Sequence, residues 1–189
     1  TLASGGGGSY MVCYCTCCQD MHTFLGKENL MDAEGGLHFR MTAPGDVKFT
    51  KGVSKIKSMK LAEKTGTVRW YTDCCKSPIG CTVSELPPTM IDLSRSFIAQ
   101  KADPDLLSRF LGKISMRLFA DSSKKDTSAL ANPRPSSRSF WLFHYMYHMI
   151  SNYVKWWWRG TLLPHPLYVE GNTKGKLICE PVVVKAKIA

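Results

Sequence analysis

Hydrophobic and polar residues alternate in several short runs between residues 37 and 83. The longest run is Val53-Ser54-Lys55-Ile56-Lys57-Ser58-Met59-Lys60-Leu61, where the alternation slips by one residue at Ile56. Successive side chains of a strand point to opposite faces, so this pattern predicts strands with one face buried. Strands are predicted over Leu37–Met41, Val47–Thr50, Val53–Leu61, Val68–Tyr71 and Ile79–Val83. Gly35-Gly36, Pro44-Gly45, Gly52 and Gly66 separate them as turn residues do. Short strands at this spacing indicate an antiparallel sheet or small sandwich. A brief helical turn is predicted after Cys18, through about Leu25, closed by Gly26.

Beyond Pro87-Pro88 the period changes. Asp103-Pro104 supplies an N-cap and a proline at the first helical position. Leu107, Phe110, Leu111, Ile114 and Leu118 then recur at helical spacing, which predicts a helix over 104–119. Residues 121–137 are polar, carry Pro133 and Pro135, and read as a loop. A second helix is predicted from Ser137 to Arg159, ended by Gly160. Phe140, Phe143, Tyr147, Ile150, Val154 and Trp157 form one stripe on it, while Trp141, Tyr145, Trp156 and Trp158 lie off that stripe. The apolar surface is therefore wider than packing on one face requires. A final strand is predicted near Val182–Ile188. The fold class is α+β. Residues 1–9 are a flexible Gly-rich lead-in, 10–86 a small antiparallel β domain, and 87–189 a basic extension with two helices and a last strand.

Composition narrows this picture. Hydrophobic residues make up 44% of the 189, enough for a core and too many for wholesale disorder. No uncharged apolar run reaches the ~18 residues of a membrane helix. The net charge of +10 is uneven: residues 1–100 hold 11 basic against 9 acidic side chains, and residues 101–189 hold 14 against 6. A basic second half suits an acidic protein, an anionic membrane face or nucleic acid. Nucleic acid is the least favoured, because the basic residues are spread along loops and match no recognition motif.

The eight cysteines are clustered. Cys13, Cys15, Cys17 and Cys18 crowd into six residues, Cys74 and Cys75 are adjacent, Cys81 follows, and Cys179 stands alone. A secreted disulfide scaffold spreads its cysteines to staple distant loops. Clustering instead suggests thiolates gathered for a metal, in a reducing compartment such as cytosol, mitochondrial matrix or plastid stroma. Cys13, Cys15 and Cys18 have the spacing Cys-x-Cys-x-x-Cys, which can converge on one Zn²⁺. Three protein ligands leave a fourth position open for chemistry, whereas four close it. The competing reading is a set of buried reduced thiols packed as small hydrophobes.

The segments Val12-Cys13-Tyr14-Cys15-Thr16-Cys17-Cys18-Gln19 and Arg69-Trp70-Tyr71-Thr72-Asp73-Cys74-Cys75-Lys76-Ser77-Pro78-Ile79-Gly80, with Pro164-His165-Pro166, carry a resemblance. The chain resembles the glutathione-dependent formaldehyde-activating enzyme and centromere protein V family, over roughly residues 10–85 and loosely beyond. The resemblance implies a small zinc-dependent β domain, the β-tent, with the catalytic zinc on Cys13, Cys15 and Cys18. It also implies a structural zinc held by an upstream Cys-x-Cys and a downstream Cys-x-x-Cys. Here no cysteine precedes Cys13, and Thr72 stands at the first place of the downstream pair, leaving Cys75 with Cys74 beside it. The second site is therefore expected to be lost, or Cys74 or Cys75 completes a closed four-cysteine site with the first cluster. If the site stays open, the implied reaction is addition of a thiol to an aldehyde, or its reverse, with glutathione held by Arg40, Arg69 or Lys76.

His144 and His148 are four apart on the second helix, but Tyr145 stands where a metalloprotease would need glutamate. His22, four residues after Cys18, is a candidate ligand or proton carrier, and His165 reads as structural. Phe140, Trp141, Tyr145, Trp156, Trp157, Trp158 and Arg159 form a candidate partner surface of the aromatic and arginine type favoured in interface cores. Three functions follow. The first is a non-catalytic accessory or scaffold subunit of a large assembly, docked through this basic aromatic half. The second is a zinc-dependent carbon–sulfur lyase acting on a glutathione adduct. The third is peripheral attachment to an anionic membrane surface.

Overall fold

Tyr10-Met11-Val12-Cys13 is buried at every position. A segment buried on both faces belongs inside a sheet, and so does Ile91-Asp92-Leu93-Ser94. The computed structural model of the chain describes residues 7–83, 90–99, 103–128, 130, 141–169 and 176–184. Its strands are β1 (Tyr10–Cys13), β2 (Leu37–Thr42), β3 (Ile56–Lys60), β4 (Thr67–Thr72), β5 (Pro78–Val83), β6 (Ile91–Ser94), β7 (Ile114–Leu118) and β8 (Val182–Val183). Its helices are α1 (Thr16–Phe24), α2 (Arg95–Ala99), α3 (Pro104–Leu111) and α4 (Trp141–Trp158). Among the described residues the strands form one open sheet in the order β7-β1-β2-β6-β5-β4-β3-β8. Its inner pairs are antiparallel, and β7 on β1 and β8 on β3 are parallel. The fold is α+β, with the sheet drawing strands from both sides of Pro87-Pro88.

Each face carries its own core. Met11 and Cys13 of β1, Phe39 and Met41 of β2 and Met116 of β7 pack with Trp156 of α4. Val68 and Trp70 of β4 and Ile91 and Leu93 of β6 pack with Val47 and Leu167 in a second cluster. Met21 and Leu25, from α1 and its C-cap, close on Met59 and Leu61.

Several sequence expectations change. The helix expected over 104–119 stops at Leu111, where Gly112 turns left-handed at φ +67°, and Ile114, Met116 and Leu118 run on as β7. The helical spacing had hidden an equally good period of two. Asp103 caps α3 as expected, its carboxylate accepting from the Asp105 and Leu106 amides. Val47–Thr50 forms no strand. Val53–Lys55 is a tight helical turn, so the strand begins at Ile56, where the alternation slips. The helical turn near Cys18 begins earlier, at Thr16. Residues 137–140 of the expected last helix and 185–188 of the expected last strand lie outside the described residues.

Gly80 lets β5 and β6 close. A Cβ there would run into the Asp92 backbone carbonyl. Gly80→Ala is expected to cost about 1–3 kcal/mol, the range for forced overpacking, read as a lower urea midpoint at unchanged slope.

Candidate metal centre and the polar layer beside it

The candidate ligands sit where β1 hands over to α1. Cys13 ends the strand and Cys15 is the N-cap of the helix, in extended conformation. The Cys18 and Gln19 amides both donate to the Cys15 carbonyl, so the first helical turn brings Cys18 back over Cys15. The Gln19 side-chain amide donates to the carbonyls of Tyr14 (2.7 Å) and Ser122 (2.8 Å), which pins this corner to the loop after β7. Cys13 Sγ lies 3.3 Å from Cys15 Sγ, and the three sulfurs of Cys13, Cys15 and Cys18 all lie within 4.8 Å of one another. The group can hold a metal ion, and three thiolates select a soft or borderline one.

The protonation pattern follows from this crowding. Hydrogen bonds from Cys13 and then Cys18 pull the Cys15 thiol down to about 3, with the Arg69 charge helping. Sharing a proton with Cys15 pushes Cys13 up, and the same contacts with Cys13 and Cys15 push Cys18 up. A cation would discharge all three at once.

The neighbouring surface is polar and buried. Arg69 of β4 pairs with Cys81 of β5, and Cys81 pairs with Asp92 of β6, so the three stand in one row across the sheet. Met41 continues the row on β2, on the face that carries Cys13. Arg69 is 5% exposed and Asp92 6%. Arg69 Nη1 and Asp92 Oδ1 have no hydrogen-bond partner among the described residues. Cys81 Sγ donates weakly to Asp92 Oδ2 at 3.9 Å. Burial lifts the Asp92 carboxyl to about 7 and pushes the Cys81 thiol well up. Tyr145 closes the layer from α4; burial raises its phenol, and the negative charges of Asp92, Cys81 and Cys13 add to that. A buried carboxyl without a charge partner keeps its proton more tightly, as Asp92 does, and the unpartnered Arg69 Nη1 leaves a hydrogen bond for a bound group or a water.

The sequence matches a family described as a family of unknown function, DUF6151, over residues 4–173. The chain belongs to the DUF6151 family. No curated protein and no solved structure matches it. The DUF6151 match takes in the three cysteines, Arg69, Cys81, Asp92 and all of α4, and stops before β8.

Cys74 and Cys75 lie outside the sulfur group, exposed in the turn between β4 and β5. Cys17 is exposed on α1 and also outside it. Of the candidate anion holders only Arg69 adjoins the centre. Arg40 Nη1 donates to the Leu111 carbonyl at 2.7 Å and its guanidinium lies over Phe110, while Lys76 pairs with Asp73 at 2.8 Å. His22 is fully buried, its Nδ1 held by the Cys18 carbonyl at 3.0 Å. His165 bonds the Leu167 amide through Nδ1, and burial lowers it to about 4.

The exposed face of α4 is only in part the expected docking face. Trp156 is buried and Tyr145 packs against the core, so neither is offered to a partner. Trp157 and Trp158 are exposed, with Phe143, Tyr147, Ile150 and Val154. Arg159 reaches Asp46 at 3.5 Å. Phe140 lies outside the described residues, as does the side chain of Trp141. The inward face was chosen by its polar atoms. Asn152 Nδ2 donates to Ser9 Oγ at 3.0 Å, His148 Nδ1 bonds the same hydroxyl at 2.8 Å, and Trp156 Nε1 donates to the Gly7 carbonyl.

Sequence reading also missed a cleft of about 420 Å³ beside β2, lined by Asn29, Met31, Asp32, His38, Ser94 and Arg95. His38 bridges Tyr10 Oη (2.7 Å) and Asp32 Oδ2 (3.5 Å). Only the β1–β2 register joins these residues, and no local motif announces them.

Proposed function

We propose that the protein is a zinc-dependent enzyme acting on a small thiol or thiol adduct, with zinc held by Cys13, Cys15 and Cys18. One observation carries this reading: the charge of buried Arg69 reaches Cys15 of the three-sulfur group, and Cys81 links it across the sheet to buried Asp92, with Arg69 Nη1 and Asp92 Oδ1 both without a hydrogen-bond partner among the described residues. A purely structural zinc needs a fourth protein ligand and no such layer. Bound zinc would supply Lewis acidity and a thiolate-holding site. Arg69 would offset the net negative charge of three thiolates around one dication and hold an anionic substrate group. Asp92, poised to titrate near neutrality, would take or return a proton at Oδ1. Tyr145 would close the site from solvent. The resemblance to the formaldehyde-activating enzymes supports a carbon–sulfur lyase acting on a glutathione adduct as the reaction type, and a β-tent as the architecture.

Zinc content and X-ray absorption test this. One zinc per chain with three sulfurs and one lighter atom is expected. Four sulfurs, or no zinc on a chain purified in its presence, overturns the enzyme reading.

The exposed face of α4 favours a second role, docking as a subunit of a larger assembly. Contiguous exposed aromatics of this size mark interaction surfaces. The isolated chain is expected to self-associate, and Phe143→Ser with Trp157→Ser to restore a monomer by light scattering. A wild-type chain that stays monomeric at high concentration removes this role.

A further inference from the structure

The turn between β4 and β5 carries chemistry that the metal centre does not use. Its backbone is tightly tied: the Thr72 amide donates to the Ser77 carbonyl at 3.0 Å and the Lys76 amide to the Thr72 carbonyl at 2.9 Å. The Ser77 amide donates to Thr72 Oγ1 at 3.1 Å. Lys76 sits in the left-handed region at φ +54°. This frame presents Cys74 and Cys75 side by side to solvent.

Cys75 Sγ is the focus of the turn. It lies 3.0 Å from Thr72 Oγ1 and 3.2 Å from Ser77 Oγ, and the Cys74 thiol donates to it at 3.8 Å. Two hydroxyls and a thiol converging on one exposed sulfur stabilise its thiolate. These hydrogen bonds, Ser77's first, bring Cys75 down to about 7. Lys55, Lys57 and Lys76 surround the turn closely enough to hold the Asp73 carboxyl below its usual range, Lys76 foremost. Three ammonium groups against one carboxylate leave the surroundings positive.

We propose that this turn is a thiol-modification site, where Cys75 exchanges with small anionic disulfides and is held as a mixed disulfide. The Cys75 thiolate attacks one sulfur of the disulfide, the S–S bond breaks, and the departing thiolate takes a proton from water. The number of disulfide bonds is unchanged, and no further oxidant is needed. Cys74 does not resolve the adduct. Neighbouring Cα atoms are about 3.8 Å apart, shorter than the roughly 4.4–6.8 Å that disulfides span, so a Cys74–Cys75 bond is strained and the mixed disulfide persists.

The full zinc-supplemented chain is treated with limiting dithiodipropionate, a dianion, and separately with cystamine, a dication, then mapped by peptide mass spectrometry. Cys75 is expected to carry the first adduct, ahead of the exposed Cys17 and Cys74. Each reagent is compared with itself across salt, because the two leaving thiols differ in pKa: the dianion is expected to slow as salt rises and cystamine to speed up. Ser77→Ala removes one hydroxyl. For a thiol returned one unit toward its ordinary value, the lost thiolate fraction outweighs the gain in nucleophilicity. The rate is then expected to fall about twofold at pH 7 and about threefold at pH 6. Thr72→Ser keeps its hydroxyl and is expected to leave the rate unchanged. Equal labelling of Cys17, Cys74 and Cys75 overturns the proposal. So does a Cys74–Cys75 disulfide as the product, or a Ser77→Ala rate equal to wild type in a folded chain.

Discussion

Replacing Cys15 by serine is expected to strip the metal and take a large part of the stability with it. Cys15 is hydrogen-bonded to both Cys13 and Cys18. The unfolded chain has no preformed site, so metal binding adds directly to folding free energy. With free zinc about a thousandfold above its dissociation constant, that contribution is about 4 kcal/mol. A chain of this size moves about 2–4 °C in Tm per kcal/mol. Chelation should therefore lower the wild-type Tm by about 8–16 °C and leave Cys15→Ser where it is. Calorimetry with and without chelator reads both. A wild-type Tm indifferent to chelator would show that the sulfurs are packed thiols and nothing more. Cys17→Ser, on the exposed neighbour outside the group, serves as the control and should keep both metal and Tm.

Asp92→Asn is expected to do the opposite and stabilise the protein at neutral pH. Burial lifts this carboxyl from its usual 3.8 to about 7. Between those values the native state holds a proton that the unfolded state has released. Stability therefore falls as pH rises through that window, then levels off above it. A gap of about three units amounts to about 4 kcal/mol. Urea unfolding at pH 5 and pH 8, with metal content matched, should show about 2–3 kcal/mol of that loss in the wild type, part of it being spent already by pH 5, and little in Asp92→Asn. At pH 8 the variant should be the more stable by about the full 4 kcal/mol. Equal wild-type stability at the two pH values would mean that Asp92 has an unseen partner for its charge. A carboxylate that costs this much stability suits a functional role better than a structural one, and loss of turnover in Asp92→Asn would complete the case.

What the sequence showed and what it hid follow from range. Cys13, Cys15 and Cys18 are legible because their convergence is local: one strand end and one helical turn suffice. β2, β4 and β5 are legible because their alternation marks them out. β1 and β6 are buried on both faces, so no alternation marks them, yet they join the two halves of the sheet. Arg69, Cys81 and Asp92 are scattered in sequence and meet only through the registers of β4, β5 and β6. Without those registers the metal reading lacked its polar neighbours, and the subunit reading stood ahead of the enzyme. On α4 apolar residues surround the whole helix, so periodicity alone could not orient it. The orientation rests on Asn152 and Trp156, which donate to the Ser9 hydroxyl and the Gly7 carbonyl, and on His148, whose Nδ1 shares a hydrogen bond with the same Ser9 hydroxyl.

That last contact orders events in time. The tract bearing the three cysteines leaves the ribosome before β7 and α4. Its strand is completed by β7, and its leading residues are clamped by α4, 143 positions later in the Ser9–Asn152 bond and 149 in the Gly7–Trp156 bond. Contacts so distant along the chain form late. Throughout synthesis of the intervening residues the sulfurs are uncovered, open to oxidation or to the wrong ion. If a cation is held there, its supply to a half-made chain, and not only its affinity for the finished one, then bears on how much folded protein is obtained.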